Sequence, residues 1–332
     1  MSNASAFLAR SGRTLAPLAG LIVVLVAAAI TTPGSFTVDV LRLVLFQIGL
    51  IGVTAIGQTL VLLVGGIDLS IGAVMTLATV IVATTTNGDD SALLVAVVLA
   101  VLAGLAVGAA NSALVQLRSV PPFVATFATF VLVQGIIVAW TRGAPSGAIP
   151  DAMRWLGIGR LFDFIPVPAV VFAVLAVVVG LVLVRTTLGR RVYATGANPR
   201  AARLSGVPTG WIVTGAYLAS ALTAVLAGLI NAGYIGYVDA GLSRSLDLNS
   251  IAAAVIGGVA LTGGKGRIGQ TVVGVVLLAV LLTWLVQLGA GAGAQLIVSG
   301  IVILGAVWLQ SGRFTLSTIR HLTRRTTTAE RG

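Results

Sequence analysis

The chain of 332 residues contains no cysteine and a single histidine, His321. The first absence removes disulfides, thiol nucleophiles and thiolate metal sites. The second argues against a histidine-based metal or catalytic centre. Charge is scarce as well: 9% of residues are charged, and only 9 residues are acidic. No stretch fits the phosphate-cradling pattern GxxxxGK[ST], so no nucleotide site is encoded. What fills the sequence instead is apolar: 58% of it is hydrophobic, with 41 glycines. A soluble protein of that composition could not cover its own surface with polar groups. The composition therefore specifies a polytopic membrane protein.

Apolar runs of about 20 residues cross a bilayer as helices. Such runs lie near 15–32, 42–64, 69–86, 92–116, 121–141, 167–184, 209–232, 247–262, 269–288 and 294–310. The expected fold is all-α, a membrane helical bundle of about ten transmembrane helices. A short N-terminal tail (1–14) precedes the transmembrane domain (15–310), and a basic C-terminal tail (311–332) follows it. Pro17, and the lack of a convincing small-x-small cleavage site before "TTPGSF", favour a retained first span over a signal peptide. The eighth run, "LDLNSIAAAVIGGVALTG", is short and glycine-rich. It reads as a broken or partly re-entrant helix, a form confined to protein-lined or water-lined surroundings.

The net charge of +11 has a topological explanation. With a cytoplasmic N-terminus and alternating spans, the inner side receives Arg10, Arg13, Arg118, Arg185, Arg190, Arg191, Arg200, Arg203, Lys265, Arg267, Arg313, Arg320, Arg324, Arg325 and Arg331. The outer side receives only Arg42, Arg142, Arg154, Arg160 and Arg244. That asymmetry follows the positive-inside rule and puts both termini in the cytoplasm. Nucleic-acid binding is then not needed to account for the charge.

Two long connections stand out. The outer segment 142–166, "RGAPSGAIPDAMRWLGIGRLFDFIP", suits an ordered lid or a short interfacial helix. The inner segment 185–208, "RTTLGRRVYATGANPRAARLSGVP", is the most polar internal stretch. Within it Asn198 reads as a helix N-cap, Pro199 as a first-turn residue and Gly206 as a C-cap. Such a helix exposes Arg200 and Arg203 and buries Ala201, Ala202 and Leu204 against something. It serves either as an interfacial helix with arginines on lipid phosphates or as a docking helix for a cytoplasmic partner.

Four segments in order, "GGIDLSIGAV", "NSALVQLRSVPPFVATF", "TTLGRRVYATGANPRAARLSGV" and "LDLNSIAAAVIGGVALTGGKGRIGQT", resemble the permease subunit of ribose-type ATP-binding-cassette importers. This is the carbohydrate branch of a superfamily that includes branched-chain amino acid permeases. The resemblance runs from the second span through the tenth. It implies that two permease subunits pair, as a homodimer or with a paralogue. It also implies that an extracytoplasmic sugar-binding protein delivers substrate and largely sets selectivity. A cytoplasmic ATPase that binds ATP and Mg supplies the energy, and this chain carries no cofactor or metal of its own. By the same resemblance "ATGANPRAARLSGV" corresponds to the coupling helix, which assigns ATPase contact to Gly196, Asn198, Pro199, Arg200, Ala201, Ala202, Arg203, Ser205 and Gly206.

Asp68 is the anomalous residue. It sits in "GQTLVLLVGGIDLSIGAVM" among Gly65, Gly66, Ser70 and Gly72. A carboxylate at a helix centre in hydrocarbon costs about 2.5–3.5 kcal/mol on insertion scales. At the cytoplasmic end of the second span it can stay hydrated and cap the next helix with Ser70. The residues favour such a structural cap over a proton or substrate site. "GGKGRIG" at 263–269 repeats the double glycine on the same side, so the two turns do not form an inverted repeat.

Polar residues inside spans are the candidates for a translocation path: Gln58, Asn111 and Asn231, with Phe123 and Phe127 offering aromatic faces to a sugar. Gln47, Gln134 and Gln287 belong to the same polar set, and Phe130 to the aromatic one. Taken singly, each fits interhelical hydrogen bonding or ordinary packing better. Two rival classes are weaker. An ion-coupled secondary transporter needs intramembrane carboxylates or an ion site, for which Asp68 is the residue to weigh. An intramembrane enzyme has neither cysteine nor a core histidine. Within the favoured class, a branched-chain amino acid or nucleoside permease is the alternative, and the "GGIDLS" pattern points to sugar.

Overall fold

The structure, a computed structural model, describes residues 3–238 and 246–311. Ser2, Arg244, His321 and the basic tail beyond 311 lie outside the described residues. In chain order the helices are α1 (Asn3–Thr31), α2 (Val38–Leu63), α3 (Ile71–Thr86), α4 (Leu93–Leu117), α5 (Pro122–Thr141), α6 (Asp151–Ile158) and α7 (Val167–Arg185). There follow α8 (Thr187–Ala197), α9 (Pro199–Leu204), α10 (Thr209–Ile235), α11 (Leu246–Gly257), α12 (Ile268–Gln287) and α13 (Ala292–Ser311). Between α6 and α7 lies a two-residue antiparallel pair, β1 (Arg160–Leu161) with β2 (Ile165–Pro166). The protein is an all-α polytopic membrane protein. Six helical segments are long and apolar enough to span: Val38–Leu63, Asp90–Leu117, Pro122–Thr141, Val167–Arg185, Thr209–Ile235 and Ile268–Gln287. Four shorter apolar helical stretches accompany them: Pro17–Thr31, Ile71–Thr86, Leu246–Gly257 and Ala292–Gly305. Each apolar run read from sequence corresponds to one of these helices.

Local chemistry closes the helices where the sequence supplies it. Thr37 caps α2 by accepting from Val40 N at 3.4 Å. Pro122 starts α5 in the first turn, where its missing N–H is harmless. In hydrocarbon every backbone group needs a partner, so the runs have no alternative to helix.

The centre is built on α2 and α10, which pack on each other, with α3, α11 and α12 around them. Ile51, Ile56, Leu62, Tyr217, Ile230 and Leu278 are fully buried there. Small residues let backbones touch: a Cβ on Gly228 would meet Met75 backbone at 2.6 Å, and Gly274 lies against Ala253. Helices α4, α5 and α7 keep most of their surface outside this bundle.

The connections sort to two ends. At one end, segment 142–166 packs on the turn after α3, with Gly88 N to Ala148 O at 3.0 Å and Ala152 N to Asp90 Oδ1 at 2.9 Å. Arg42 reaches the same segment, donating to Asp163 O at 3.1 Å. This segment is ordered, as the short helix α6 plus the β1–β2 hairpin. The other end gathers residues 64–70, 185–208 and 258–267. There Gly264 N donates to Leu63 O at 2.9 Å and Tyr193 Oη to Gly266 O at 2.9 Å. Helix α8 forms in a polar stretch that no apolar run in the sequence announces. The eighth run is cut short: α11 has 12 residues, about 18 Å at 1.5 Å each, and stops at Gly258 with φ of 110°.

Candidate functional site

Two neighbouring features occupy the 185–208 end. The first begins where α2 closes. Gly66 N bonds Val61 O and Gly65 N bonds Leu62 O, both at 2.9 Å, with Gly65 at φ 84°. This is the Schellman closure, and its left-handed residue suits glycine. The chain then doubles back as 67–70 before α3 starts. With 16 residues α3 is about 24 Å long, shorter than a hydrocarbon core of about 30 Å. The non-helical residues 66–70 that precede it are mostly buried in protein, where irregular backbone is tolerated.

That return carries Asp68 inward, against the expectation of a hydrated carboxylate at the interface. Asp68 is 1% exposed. Its Oδ1 accepts from Ser70 N at 2.9 Å and Ser70 Oγ at 2.6 Å, and its Oδ2 accepts from Ser220 Oγ at 2.7 Å. Ser220 lies near the middle of α10, so the carboxylate is tied into the bundle rather than into water. The network continues: Asn111 Nδ2 donates to Ser70 Oγ at 2.8 Å, and Thr129 Oγ1 donates to Asn111 Oδ1 at 2.5 Å. Thr126 Oγ1 adds a bond to Ile67 O at 3.2 Å. The network thus joins the re-entrant segment to α4, α5 and α10, and its one carboxylate has no cationic partner among the described residues. Burial of a charge-bearing group without an ion pair is tolerable only when its lone pairs are filled, and here three donors fill them. Gly66 lies against Tyr217, whose hydroxyl has no partner among the described residues. Gly72 is buried in the first turn of α3.

The second feature is α9. Asn198 Oδ1 accepts from Arg200 N at 3.1 Å and Ala201 N at 3.0 Å, with Pro199 in the first turn. The far end closes as Val207 N to Ala202 O and Gly206 N to Arg203 O, both 3.0 Å, with Gly206 at φ 79°. The expected N-cap, first turn and glycine stop are all present. The expected burial is different: only Ala202 faces the protein, 5% exposed, whereas Leu204 is 85% exposed and Ala201 is exposed beside it. Six residues make fewer than two turns, so one narrow face reaches the bundle and the rest looks outward. Arg200, Arg203 and Ser205 share that outward side.

Helix α8 holds α9 to the core through a close backbone approach. A Cβ at Gly196 would strike Leu63 O, and Gly263 sits against both Gly196 O and the Gly65 backbone. The double glycines at 65–66 and 263–264 are therefore spatial neighbours, with α8 packed on both. Their sequence similarity reflects this shared contact at one end of the bundle.

The candidate path residues do not converge. Asn111 joins the Asp68 network. Gln58 is fully buried on α2, and neither end of its amide has a partner among the described residues. Asn231 is half-buried on α10. Phe123 and Phe127 stack at 6.1 Å on the outer face of α5, continued by Phe130 at 6.2 Å, and both lead residues are about half exposed. Ser220, Thr126 and Thr129 were missed from sequence. Their one available signal is a lone hydroxyl in an apolar span, which back-bonding to the helix carbonyl explains equally well.

Comparison with known proteins gives a consistent result. The profile of the family described as "Branched-chain amino acid transport system / permease component" matches residues 40–307. The ribose import permease protein RbsC of Escherichia coli K12 is 35% identical over 294 residues, 87% of this chain and 91% of the relative. RbsC of Bacillus subtilis 168 is 36% identical, over 89% and 92%. The galactofuranose transporter permease YtfT of Escherichia coli K12 is 35% identical, over 80% and 77%. No solved structure matches.

Proposed function

This chain belongs to the family of branched-chain amino acid transport system permease components, and we propose that it serves the sugar-importing branch of that family. It is the membrane-spanning subunit of an ATP-binding-cassette importer of a sugar. The observation that carries this reading is the near end-to-end match to two ribose permeases, at 91% and 92% of their length. In this reading the six long and four shorter apolar helices make ten crossings, with both termini and the 185–208 end in the cytoplasm. The arginine asymmetry supports that orientation.

Transport then divides among partners. A second permease subunit completes the pathway, an extracytoplasmic binding protein presents the sugar at the 142–166 end, and an ATPase binds ATP and Mg below. Helix α9 is the surface offered to that ATPase. The exposed Leu204 supports this assignment, because an apolar side chain presented beside Arg200 and Arg203 gains from being covered. The close glycine contacts of α8 provide the mechanical link. Movement of α9 is transmitted through Gly196 to the end of α2 and to 263–264, hence toward the Asp68 turn.

The test is reconstitution with the matched ATPase and binding protein, with uptake of labelled ribose measured with and without ATP. ATP-dependent uptake is expected; uptake driven by an ion gradient without the ATPase overturns the class. In parallel, Ala201→Glu should release the ATPase in co-purification and stop uptake while the permease remains folded. If Ala201→Glu retains both, α9 is an interfacial helix and not the coupling surface.

A further inference from the structure

A cavity of about 200 Å³ lies between α2, α7, α8 and α10. Its walls are aliphatic, including Val179 and Val182 of α7 and Leu188 and Val192 of α8, and the exposed indole of Trp211 stands on its lining. Gly215 belongs to the same wall, and a methyl group placed on it would meet nothing within 4 Å. The cavity is open to the surface on one side, and its aliphatic lining offers nothing to hydrogen-bond water, so it suits a hydrocarbon chain. Helices α7 and α10 are long and apolar enough to span, while α8 belongs to the polar 185–208 end. The cavity therefore sits at a boundary between hydrocarbon and headgroups, the depth at which Trp is favoured.

The charge beside it is one-sided. Arg185 follows Val182 by three residues on α7, and Arg191 follows Leu188 by three on α8, so each arginine flanks a wall residue on its own helix face. Both are exposed, and neither has a carboxylate within ion-pair distance among the described residues. Segments 185–208 and 258–267 contain no Asp or Glu at all. We propose that the cavity binds one acyl chain of an anionic phospholipid of the cytoplasmic leaflet, whose phosphate lies between Arg185 and Arg191.

Both halves of the ligand are needed to explain the arrangement. A chain alone would fill the slot but leave the two guanidinium groups uncompensated. A free phosphate would satisfy the arginines and leave the slot empty. The anionic phospholipid supplies both groups at their required depth. The site also has a consequence for transport. Val192 forms a wall on the same helix as Gly196, which rests on Leu63 and Gly264, and α8 runs through Asn198 into α9. Occupancy braces α8 against α7 and α10, and so sets how firmly the surface on α9 is held. This inference does not depend on which sugar is carried.

Trp211 provides the readout. With Trp140, Trp155, Trp284 and Trp308 replaced by Phe, the full chain is reconstituted in vesicles containing phospholipids brominated on the acyl chain. Brominated phosphatidylglycerol should quench Trp211 at roughly one tenth of the mole fraction needed for brominated phosphatidylcholine, as expected for two arginines near an anionic headgroup. Arg185→Gln with Arg191→Gln should equalise the two lipids. Gly215→Leu, which fills the slot without a backbone clash, should abolish quenching at low mole fraction while leaving elution and thermal midpoint unchanged. Wild-type protein with all its tryptophans should retain anionic lipid through purification, identified by mass spectrometry. Equal quenching by both headgroups in the parent protein overturns the proposal. So does the absence of quenching by either lipid, which would place a second permease copy over the cavity.

Discussion

Ser220, near the middle of α10, donates its hydroxyl to Oδ2 of Asp68 at 2.7 Å across 152 positions of sequence. The bond joins the re-entrant segment 67–70 to α10, one of the two central helices. Because Ser70 and Asn111 extend it, movement of that segment requires several bonds to be rearranged at once.

Asp68 itself gives the first prediction. In Asp68→Asn the amide oxygen still accepts from Ser70, and the amide nitrogen can donate to Ser220 Oγ. A loss of about 1 kcal/mol is expected, with much of the transport retained. Asp68→Leu leaves Ser70 and Ser220 without their acceptor and should cost about 3 kcal/mol or more. Thermal midpoints in detergent and sugar uptake are the measurements. Uptake abolished in Asp68→Asn at unchanged midpoint would assign the carboxylate a proton or ion role in place of the structural one.

Asn111 tests whether the cluster acts as a unit. Asn111→Leu removes one donor and one acceptor, about 1–2 kcal/mol for a bond between membrane helices. Combined with Asp68→Asn, the losses should be less than additive, because both changes break the chain through Ser70. Strict additivity in the double-mutant cycle means the two residues act independently.

The packing of α8 predicts a sharp difference between glycines. Gly196→Ala forces a methyl onto Leu63 O and should lower the thermal midpoint and ATPase retention together. Gly269→Ala, where a methyl meets nothing within 4 Å, should behave as wild type. If fluorescence-detected chromatography shows no difference, the contact of α8 with the end of α2 is not tight.

The cap on α9 is separable from its surface. Asn198→Ala removes the acceptor for Arg200 N and Ala201 N, worth about 1 kcal/mol locally. Asn198→Asp keeps an acceptor and should restore what Ala loses. Co-purification of the ATPase with each variant checks this, and equal retention in both means that α9 is held by its partner rather than by its cap.

Orientation can be read directly because the natural chain has no cysteine. Single substitutions at exposed Ser205 and Ser146 report the two ends. In intact cells an impermeant thiol reagent should label Ser146→Cys and spare Ser205→Cys. The reverse pattern inverts the topology proposed from the arginines.

The sequence alone determined the class of molecule, because hydropathy and helix hydrogen bonding are local: an apolar run in hydrocarbon has to satisfy its own backbone. It also determined where α9 starts and stops, since Asn198, Pro199 and Gly206 act on groups a few residues away. It did not determine the depth of Asp68, because that depends on where the chain re-enters after Gly66 and on Ser220 in another helix. Nor did it determine that Ala201 and Leu204 face outward, which follows from how little of a six-residue helix the bundle can cover. The neighbourhood of Gly65, Gly196 and Gly263 was likewise decided only by tertiary structure. The double glycines are visible in the sequence as a repeated pattern. Their shared contact needs α2, α8 and the 258–267 turn to approach at backbone distance, and no local signal encodes that meeting.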